Sequence, residues 1–280
     1  MKKIISLLLI ATLMLTGIVM VSCADDTKTN ENEAVENASD ADLNETPEEP
    51  EVKKLTVNEG KLTMGTNAQF PPYEYYEDGK IVGIDAEIAA AIAEKLGLEL
   101  VIEDMEFNSI ITAVVSNGVD MGLAGMTVTE ERLESVNFST SYATGIQSVI
   151  VVEGNGVESL DDLAGKKIGV QLSTTGDIYA SGDYGDENVI KYNKGADAVL
   201  ALIGGDVQAV IIDNEPAKSY LAANPDAGLK ILDTEYAVEE YAAAINKENT
   251  ELLNAVNAAI EEMILDGTID AIVAKYIPAE

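Results

Sequence analysis

Strand-like and helix-like segments alternate along most of this chain, and this alternation restricts its fold more than any other feature. Helices are predicted where apolar residues recur every three or four positions. Strands that alternate with helices of this length form α/β folds with mostly parallel sheets, and the body is too large for one such sheet, so two lobes are expected. The predicted strands occupy 61–66, 98–103, 119–125, 148–152, 166–170 and 207–212, and the predicted helices occupy 83–97, 107–118 and 250–267.

Several local signals predict where helices begin and end. Gly97 predicts the end of the first helix, and Asn108 predicts a capped start for the second. Ser159 begins the run SLDDL, which has the pattern of a capping box. A further helical turn is predicted at 129–132.

The composition of the chain excludes several functions. It has 17 basic and 50 acidic residues, for a formal net charge of -33. Nucleic acid and anionic lipid both attract clustered lysine and arginine, so neither is an expected electrostatic partner. Histidine is absent from the sequence, which removes the commonest general base and the commonest metal ligand. No metal and no cofactor are predicted.

The first 22 residues have the composition of a secretory signal peptide, with two lysines and then a long apolar run. The alternative is a retained transmembrane helix, because the run is close to the length that spans a bilayer. MVSC at 20–23 favours the signal peptide, because it resembles a lipobox, although Met20 stands where leucine is usual. We expect the lipid on Cys23, the only cysteine, to anchor the protein. The acidic segment 23–53 has too few apolar residues to fold and is expected to be a disordered tether.

Three loops are expected at the carboxyl ends of strands, where α/β folds bind ligands. They are 124–127, 173–176 and 213–216, and the first two combine small residues with hydroxyls before a predicted helix start. Backbone N–H groups at such places bind anions, although plain helix capping explains the same residues.

The only arginine of the chain, Arg132, lies close to the first of these loops. A guanidinium matches a carboxylate in a bidentate pair and keeps its charge, which favours a carboxylate receptor. The alternative is a surface pair with Glu131 or Glu134. Asp213 follows an apolar strand and suits an ammonium group, or equally the N-cap of the next helix.

Two of the three phenylalanines, Phe70 and Phe107, lie near these segments. Rigid aromatic rings form the walls of ligand pockets, and Phe70 opens the aromatic run FPPYEYY. Filling of the core is the alternative explanation for both rings.

The body of the chain, about 54–277, resembles the bacterial extracellular solute-binding proteins of family 3, the polar amino-acid receptors of ABC importers. GIDAEI at 83–88 matches the family signature, except that Ala86 replaces a larger aliphatic residue. The blocks MGTNAQFPPYEYYEDGKIVGID, MEFNSIITAVVSNGVDMGLAGMTVTEERLESVNFS and GVQLSTTGD are similar to family blocks in the same order.

The resemblance implies a two-lobe fold of the type II periplasmic-binding-protein class, in which two hinge strands join the lobes. By this resemblance, 54–141 and 242–280 form lobe 1, and 147–236 form lobe 2. The hinge is expected at 142–146 and 237–241. Ala242 and Ala243 stand where a glycine is frequent in the family.

The resemblance also implies roles for the site residues. Arg132 clamps the α-carboxylate of an amino acid, assisted by the backbone N–H groups of Thr127 and Thr175 and the Thr127 hydroxyl. Asp213, with a carbonyl of Ala124 or Gly125, accepts the α-ammonium group.

Four further residues are implied to contact the ligand side chain. Phe70 and Phe107 flank it, and Asn67 and Gln171 tune specificity. Asn67 stands where several receptors for cationic amino acids carry an acid, which makes a cationic ligand less expected. Glutamine, cystine and arginine all remain open as the ligand.

The expected function is an extracellular, lipid-anchored, monomeric receptor that delivers a free amino acid to an ABC permease. Two alternatives remain. A sensory ligand-binding module is one, but such modules usually continue into a transmembrane region and this sequence ends at Glu280. An enzyme similar to cyclohexadienyl dehydratases is the other, and consumption of prephenate would reveal it.

Overall fold

The computed structural model describes residues 54–234 and 236–278. The predicted signal peptide, the lipid site at Cys23 and the predicted tether lie outside these residues. The strands are β1 Lys61–Thr66, β2 Gln69–Phe70, β3 Glu74–Glu77, β4 Lys80–Val82, β5 Glu99–Asp104, β6 Met121–Gly122, β7 Val136–Phe138, β8 Ala143–Val152, β9 Ile168–Gln171, β10 Val189–Tyr192, β11 Ala209–Asp213, β12 Leu229–Ile231, β13 Ala237–Tyr241 and β14 Ala244–Asn246. The α-helices are α1 Ile84–Leu96, α2 Phe107–Val115, α3 Glu130–Leu133, α4 Thr175–Tyr184, α5 Gly195–Gly204, α6 Asn214–Ala223, α7 Thr250–Leu265 and α8 Thr268–Tyr276.

The first sheet has the strand order β5-β1-β6-β14-β7. β5, β1 and β6 are parallel, and β14 and β7 extend them in antiparallel pairs. β1 is almost completely buried along its length, as expected for a central strand that is covered on both faces. A small antiparallel sheet of β2, β3 and β4 lies beside α1.

The second sheet has the order β10-β9-β11-β8-β12. β10, β9 and β11 are parallel, whereas β8 is antiparallel to β11, β12 and β13. Along β11, Val210 and Ile212 pack on the same side as α5, and Ala209 and Ile211 belong to a second cluster with Ala180 of α4. Because alternate side chains point to opposite faces, each face of this sheet buries one apolar layer.

The chain crosses between the two sheets at two adjacent places. The first half of β8 pairs with β13 in an antiparallel ladder that runs from Ala143 opposite Tyr241 to Gln147 opposite Ala237. These are the segments in which hinge strands are expected, and their movement remains a prediction. Ala242 and Ala243 follow directly and are completely buried.

Most predicted elements occur where the sequence places them, with three main differences. The predicted strand 119–125 is a strand only over β6, Met121–Gly122. The predicted cap at Asn108 is wrong, because α2 begins one residue earlier, at Phe107, with Glu106 as its N-cap. The predicted helix 250–267 corresponds to α7, and a separate helix, α8, follows after Gly267. The capping box is confirmed, because the Asp162 carboxylate accepts the Ser159 backbone N–H at 3.0 Å. Within the described residues, every helix is too short or too polar to cross a bilayer.

Gly83 fixes the start of α1 against the backbone of the segment FPPYEYY at 70–76, which we call the aromatic loop. Ile84 N–H donates to the Pro72 carbonyl at 3.1 Å, and Asp85 N–H donates to the Tyr73 carbonyl at 2.9 Å. A Cβ on Gly83 would lie 2.2 Å from the Tyr73 carbonyl oxygen, and its φ is +129°. Only glycine fits this contact, which holds Asp85 beneath the loop.

A substitution pair tests this contact. Gly79 also has a positive φ, +76°, but a Cβ there would meet nothing within 4 Å. Gly79→Ala should lower the free energy of unfolding by about 1–2 kcal/mol, the cost of a left-handed backbone. Gly83→Ala should cost at least about 2 kcal/mol more, because the Cβ also collides with backbone. Urea unfolding of both variants measures the difference, and equal losses would contradict the contact argument.

Candidate functional site

A cavity lies where loops of the first sheet meet loops of the second. All ten residues that the sequence predicts for ligand binding line it, and two further residues, Glu74 and Thr174, join them. The lining residues are Asn67, Phe70, Glu74, Phe107, Ala124, Gly125, Thr127, Arg132, Gln171, Thr174, Thr175 and Asp213. Their roles toward a ligand remain predictions, but the structure brings them together.

The Arg132 side chain is buried and belongs to the cavity, not to a surface ion pair. Thr129 caps α3 by accepting the Arg132 N–H, so that the helix begins at this loop. The guanidinium donates to the carbonyls of Thr127 at 2.7 Å and Ser173 at 3.1 Å, and it lies 5.4 Å from the centre of the Phe107 ring. Burial lowers the Arg132 pKa, and the nearby charge of Glu239 opposes this shift. The alternative of a pair with Glu131 or Glu134 is not seen.

Asp213 occupies the N-cap position of α6, but its side chain does not cap the helix. Its carboxylate instead accepts a hydrogen bond from the Tyr241 hydroxyl. Burial, and then the charge of Glu239, raises the pKa of Asp213 to about 7. An ammonium group beside it would favour the ionised carboxylate.

A third acid, Glu239 of β13, occupies a position that the sequence analysis missed. One oxygen of its buried carboxylate accepts the hydroxyls of Thr127 and Thr175, each at 3.0 Å, and the Gln147 amide at 3.1 Å. Thr127 precedes α3 beside the first sheet, and Thr175 begins α4 beside the second. Glu239 therefore joins the two sides of the cavity and orients both threonines.

Asn67 and Gln171 meet across the cavity. The Gln171 amide donates to the Asn67 side-chain oxygen at 3.0 Å, and the Asn67 amide donates to the Met105 carbonyl at 2.8 Å. Each residue ends or follows a parallel strand, which is where the sequence predicts ligand contacts. Phe70 is buried and stacks on Tyr73 at a centroid distance of 5.8 Å, so it serves the core and the cavity wall together.

Glu74 is the cavity residue whose surroundings are most unusual. It has no exposed surface, and neither carboxylate oxygen has a hydrogen-bond partner. Burial and the charge of Asp85 raise its pKa well above the usual range. Burying an ionised carboxylate without a partner costs free energy. Glu74 is therefore either protonated or the partner of a cation that binds in the cavity.

Glu74 and Glu239 escaped prediction for related reasons. The sequence FPPYEYY suggests only an aromatic wall, although an acid within such a run is itself a signal of an unusual environment. Glu239 belongs to a strand with two adjacent acids, and only the structure shows that Glu240 is exposed whereas Glu239 points inward. In the described part of the chain, no cluster of side chains has the makeup of a metal site.

Comparison with known proteins shows the family of the chain. The family model of the bacterial extracellular solute-binding proteins, family 3, matches residues 62–279. The chain belongs to this family. The arginine-binding extracellular protein ArtP of Bacillus subtilis (strain 168) is 36% identical over 223 residues, which cover 79% of this chain and 87% of ArtP.

Solved structures of family 3 relatives confirm the two-lobe α/β fold. An ancestral arginine-binding protein bound to glutamine is 41% identical with a TM-score of 0.76, and the match covers 79% of this chain and 100% of that one. ArtJ from the thermophilic bacterium Geobacillus stearothermophilus, an arginine-, lysine-, histidine-binding protein, is 34% identical with a TM-score of 0.75 and coverage of 79% and 96%. These relatives are amino-acid-binding proteins, which agrees with the prediction of a receptor and not an enzyme.

The raised pKa of Asp213 predicts a pH-dependent effect of Asp213→Asn on stability. The folded protein keeps the Asp213 proton up to about pH 7, whereas the unfolded chain loses it near pH 3.8. Wild-type stability therefore falls as pH rises through this window, and the amide avoids the loss. The variant should gain on wild type by up to about 4 kcal/mol, at about 1.4 kcal/mol per pKa unit.

Urea unfolding at pH 5, 6, 7 and 8 measures the part of this gain that arises between pH 5 and 7, about 3 kcal/mol. Asp162→Asn is the control, because hydrogen bonds from the Glu158 and Ser159 backbone lower the pKa of Asp162. Its stabilising effect is complete above the usual carboxyl range, so the control difference should be constant over these pH values. An Asp213→Asn difference that is equally constant would contradict the buried, proton-retaining carboxyl.

Proposed function

We propose that this protein is an extracellular receptor that captures a free amino acid and delivers it to an ABC permease. The observation that carries the proposal is the cavity itself. It brings together the only arginine of the chain, Arg132, and Asp213, whose side chain does not cap its helix. A zwitterion carries one charge for each of them. The names of the family 3 relatives support an amino acid as the ligand.

Arg132 and the threonines are the proposed carboxylate site. The guanidinium is held from both sides of the cavity by backbone carbonyls, which fix its orientation in the closed arrangement. The backbone N–H of Thr175, at the start of α4, adds the positive end of a helix dipole. Because Glu239 occupies the two threonine hydroxyls, the backbone N–H groups are the donors that remain for the ligand.

Asp213 is the proposed acceptor for the α-ammonium group, together with a carbonyl at Ala124 or Gly125. Gly125 has φ of +52°, and a Cβ there would lie 2.7 Å from the Phe70 ring. Glycine therefore lets the loop pass close to the Phe70 ring.

Glu74 favours a cationic side chain on the ligand, and arginine is the ligand we propose. A guanidinium or ammonium group beside the bare carboxylate would satisfy both oxygens at once. Asn67 stands where several receptors for cationic amino acids carry an acid, which by itself makes a cationic ligand less expected. Glu74 supplies an acid to the same cavity from the neighbouring loop, which removes that objection.

Closure of the two lobes is the proposed capture step. Arg132 belongs to the first-sheet side and Asp213 to the second, so a ligand that contacts both stabilises the closed arrangement over an open one. The β8–β13 ladder, where the chain crosses between the sheets, is the proposed hinge. A single chain suffices for this mechanism, and we propose a monomer.

A thermal-shift screen of the purified protein against the twenty amino acids, cystine, ornithine and citrulline tests the function. A ligand present at 100 times its dissociation constant adds about 2.7 kcal/mol of stability. Arginine should give the largest shift. If no amino acid shifts the melting temperature and prephenate is consumed instead, the receptor proposal is wrong.

Arg132→Ala should weaken binding of the identified ligand by about 2–5 kcal/mol, because a carboxylate is left unpaired in a closed cavity. Isothermal titration calorimetry measures the change. Lys95→Ala is the matched control, because Lys95 is exposed and pairs with Glu262. Equal affinity of the Arg132→Ala variant and the control would remove Arg132 from the site.

We also propose that Cys23 carries a lipid and holds the receptor on the outer face of the cell membrane. The lipobox-like MVSC and the acidic segment that follows support this location. Cys23→Ala should move the protein from the membrane fraction to the medium or leave it unprocessed. A variant that is cleaved and still remains in the membrane fraction would show that another feature anchors the chain.

A further inference from the structure

Glu74, which lines the cavity, and Asp85 are neighbouring buried carboxyl groups that interact with each other. Both side chains have no exposed surface. The Asp85 oxygen Oδ2 accepts the Gly125 N–H and the Tyr142 hydroxyl, each at 2.8 Å, whereas Oδ1 has no partner. Both Glu74 oxygens are also without a partner. Two ionised carboxylates cannot bond to each other, but one proton between them makes a hydrogen bond and relieves their repulsion.

The groups around Glu74 supply no positive charge. Asp85 belongs to α1 and Asp213 ends β11. The negative charge of each raises the pKa of Glu74. The neighbouring titratable side chains are phenols that burial keeps neutral, from the aromatic loop, the start of β8, and α6. They are Tyr73, Tyr142 and Tyr220. Burial raises the pKa of Asp85 less, to about 6, because two donors serve its carboxylate, so the proton belongs chiefly to Glu74.

We propose that Glu74 holds a proton at neutral pH, shared with Asp85, and that a cationic ligand side chain displaces it. This inference rests on the proposed function and concerns the same cavity. When a guanidinium approaches, the Glu74 O–H bond breaks, its proton goes to solvent, and the carboxylate takes the guanidinium as its partner. Asp85 remains ionised and keeps its bonds to Gly125 and Tyr142.

The shared proton gives the cavity two charge states. With the proton, Glu74 is a hydrogen-bond donor and acceptor that suits an uncharged amide or ureido group. Without it, Glu74 is an anion that suits a cation. Affinity for arginine relative to an uncharged analogue should therefore rise with pH, by up to tenfold per pH unit while Glu74 is protonated. A pocket with a permanent carboxylate would show no such change.

Isothermal titration calorimetry in two buffers of different ionisation enthalpy, phosphate and Tris at the same pH, counts the protons released on binding. Arginine and citrulline are the ligands, since they carry the same α-groups and differ in side-chain charge. Any proton released at Asp213 is common to both. Arginine should release about one proton more than citrulline at pH 7. Equal release would overturn the proposal.

Two variants extend the test. Glu74→Gln should abolish the difference in proton release between the ligands. Glu77→Gln, which changes an exposed acid on the same strand, should retain it. A difference that persists in Glu74→Gln would assign the proton to another group and overturn the proposal. In infrared difference spectra, wild type should lose a protonated-carboxyl band when arginine binds, and the absence of this loss would also overturn it.

The outcomes separate this inference from the proposed function. If arginine binds without the additional proton, the receptor assignment stands and the shared proton is wrong. If only uncharged amino acids bind, the receptor stands, but Glu74 meets no cation and the inference fails. If no amino acid binds, the proposed function fails, and the inference fails with it.

Discussion

The ring of Tyr241 lies where the two chain crossings, the loops of the first sheet and the cavity meet, and the geometry of all three depends on its burial. It is completely buried and contacts Tyr73 edge-on at 5.2 Å. A Cβ on Gly145 would lie 2.3 Å from its hydroxyl oxygen, so β8 must present a glycine where it passes. The hydroxyl then reaches Asp213 at the end of β11. Tyr241 thus connects the β8–β13 ladder to Asp213, the proposed acceptor for the ammonium group of the ligand.

Buried charges in this protein interact more strongly than surface charges, because water and salt screen them less. Among the described residues, most acidic side chains reach water, and their repulsion is screened by water and salt. Glu74, Asp85, Asp213 and Glu239 are buried, where screening is weak, and the charges of Glu239 and Asp213 act on the Arg132 guanidinium. Glu239 is stabilised by three donors, and Asp213 and Asp85 by phenol or backbone donors. Glu74 alone has no donor, so it is the position where the balance of charge must change when a ligand enters.

The sequence could predict the parts of the fold and site that depend on local pattern. Periodicity located α1 and α7, and strand ends located Asp213 and the loop 173–176, because parallel strands direct their carboxyl ends to one side of a sheet. Gln171 was located only by the resemblance to family 3. The cap at Asn108 was predicted wrongly because Asn and Glu106 both stand near the start of α2, and only the observed backbone decides which is first. The environments of Glu74 and Glu239 depend on contacts between residues far apart in the chain, which no local pattern encodes.

The distinction between anchoring and specificity follows from these contacts. Arg132 is fixed by carbonyls from Thr127 and Ser173, on opposite sides of the cavity, and any amino acid offers it the same carboxylate. Asp213 likewise meets an α-ammonium that all amino acids share. Only the end of the cavity near Glu74, Asn67 and Gln171 meets what differs between ligands. Asn67 and Gln171 already satisfy each other with neutral hydrogen bonds, so the discrimination of side-chain charge falls to Glu74, the one polar group there whose bonds are left to be made.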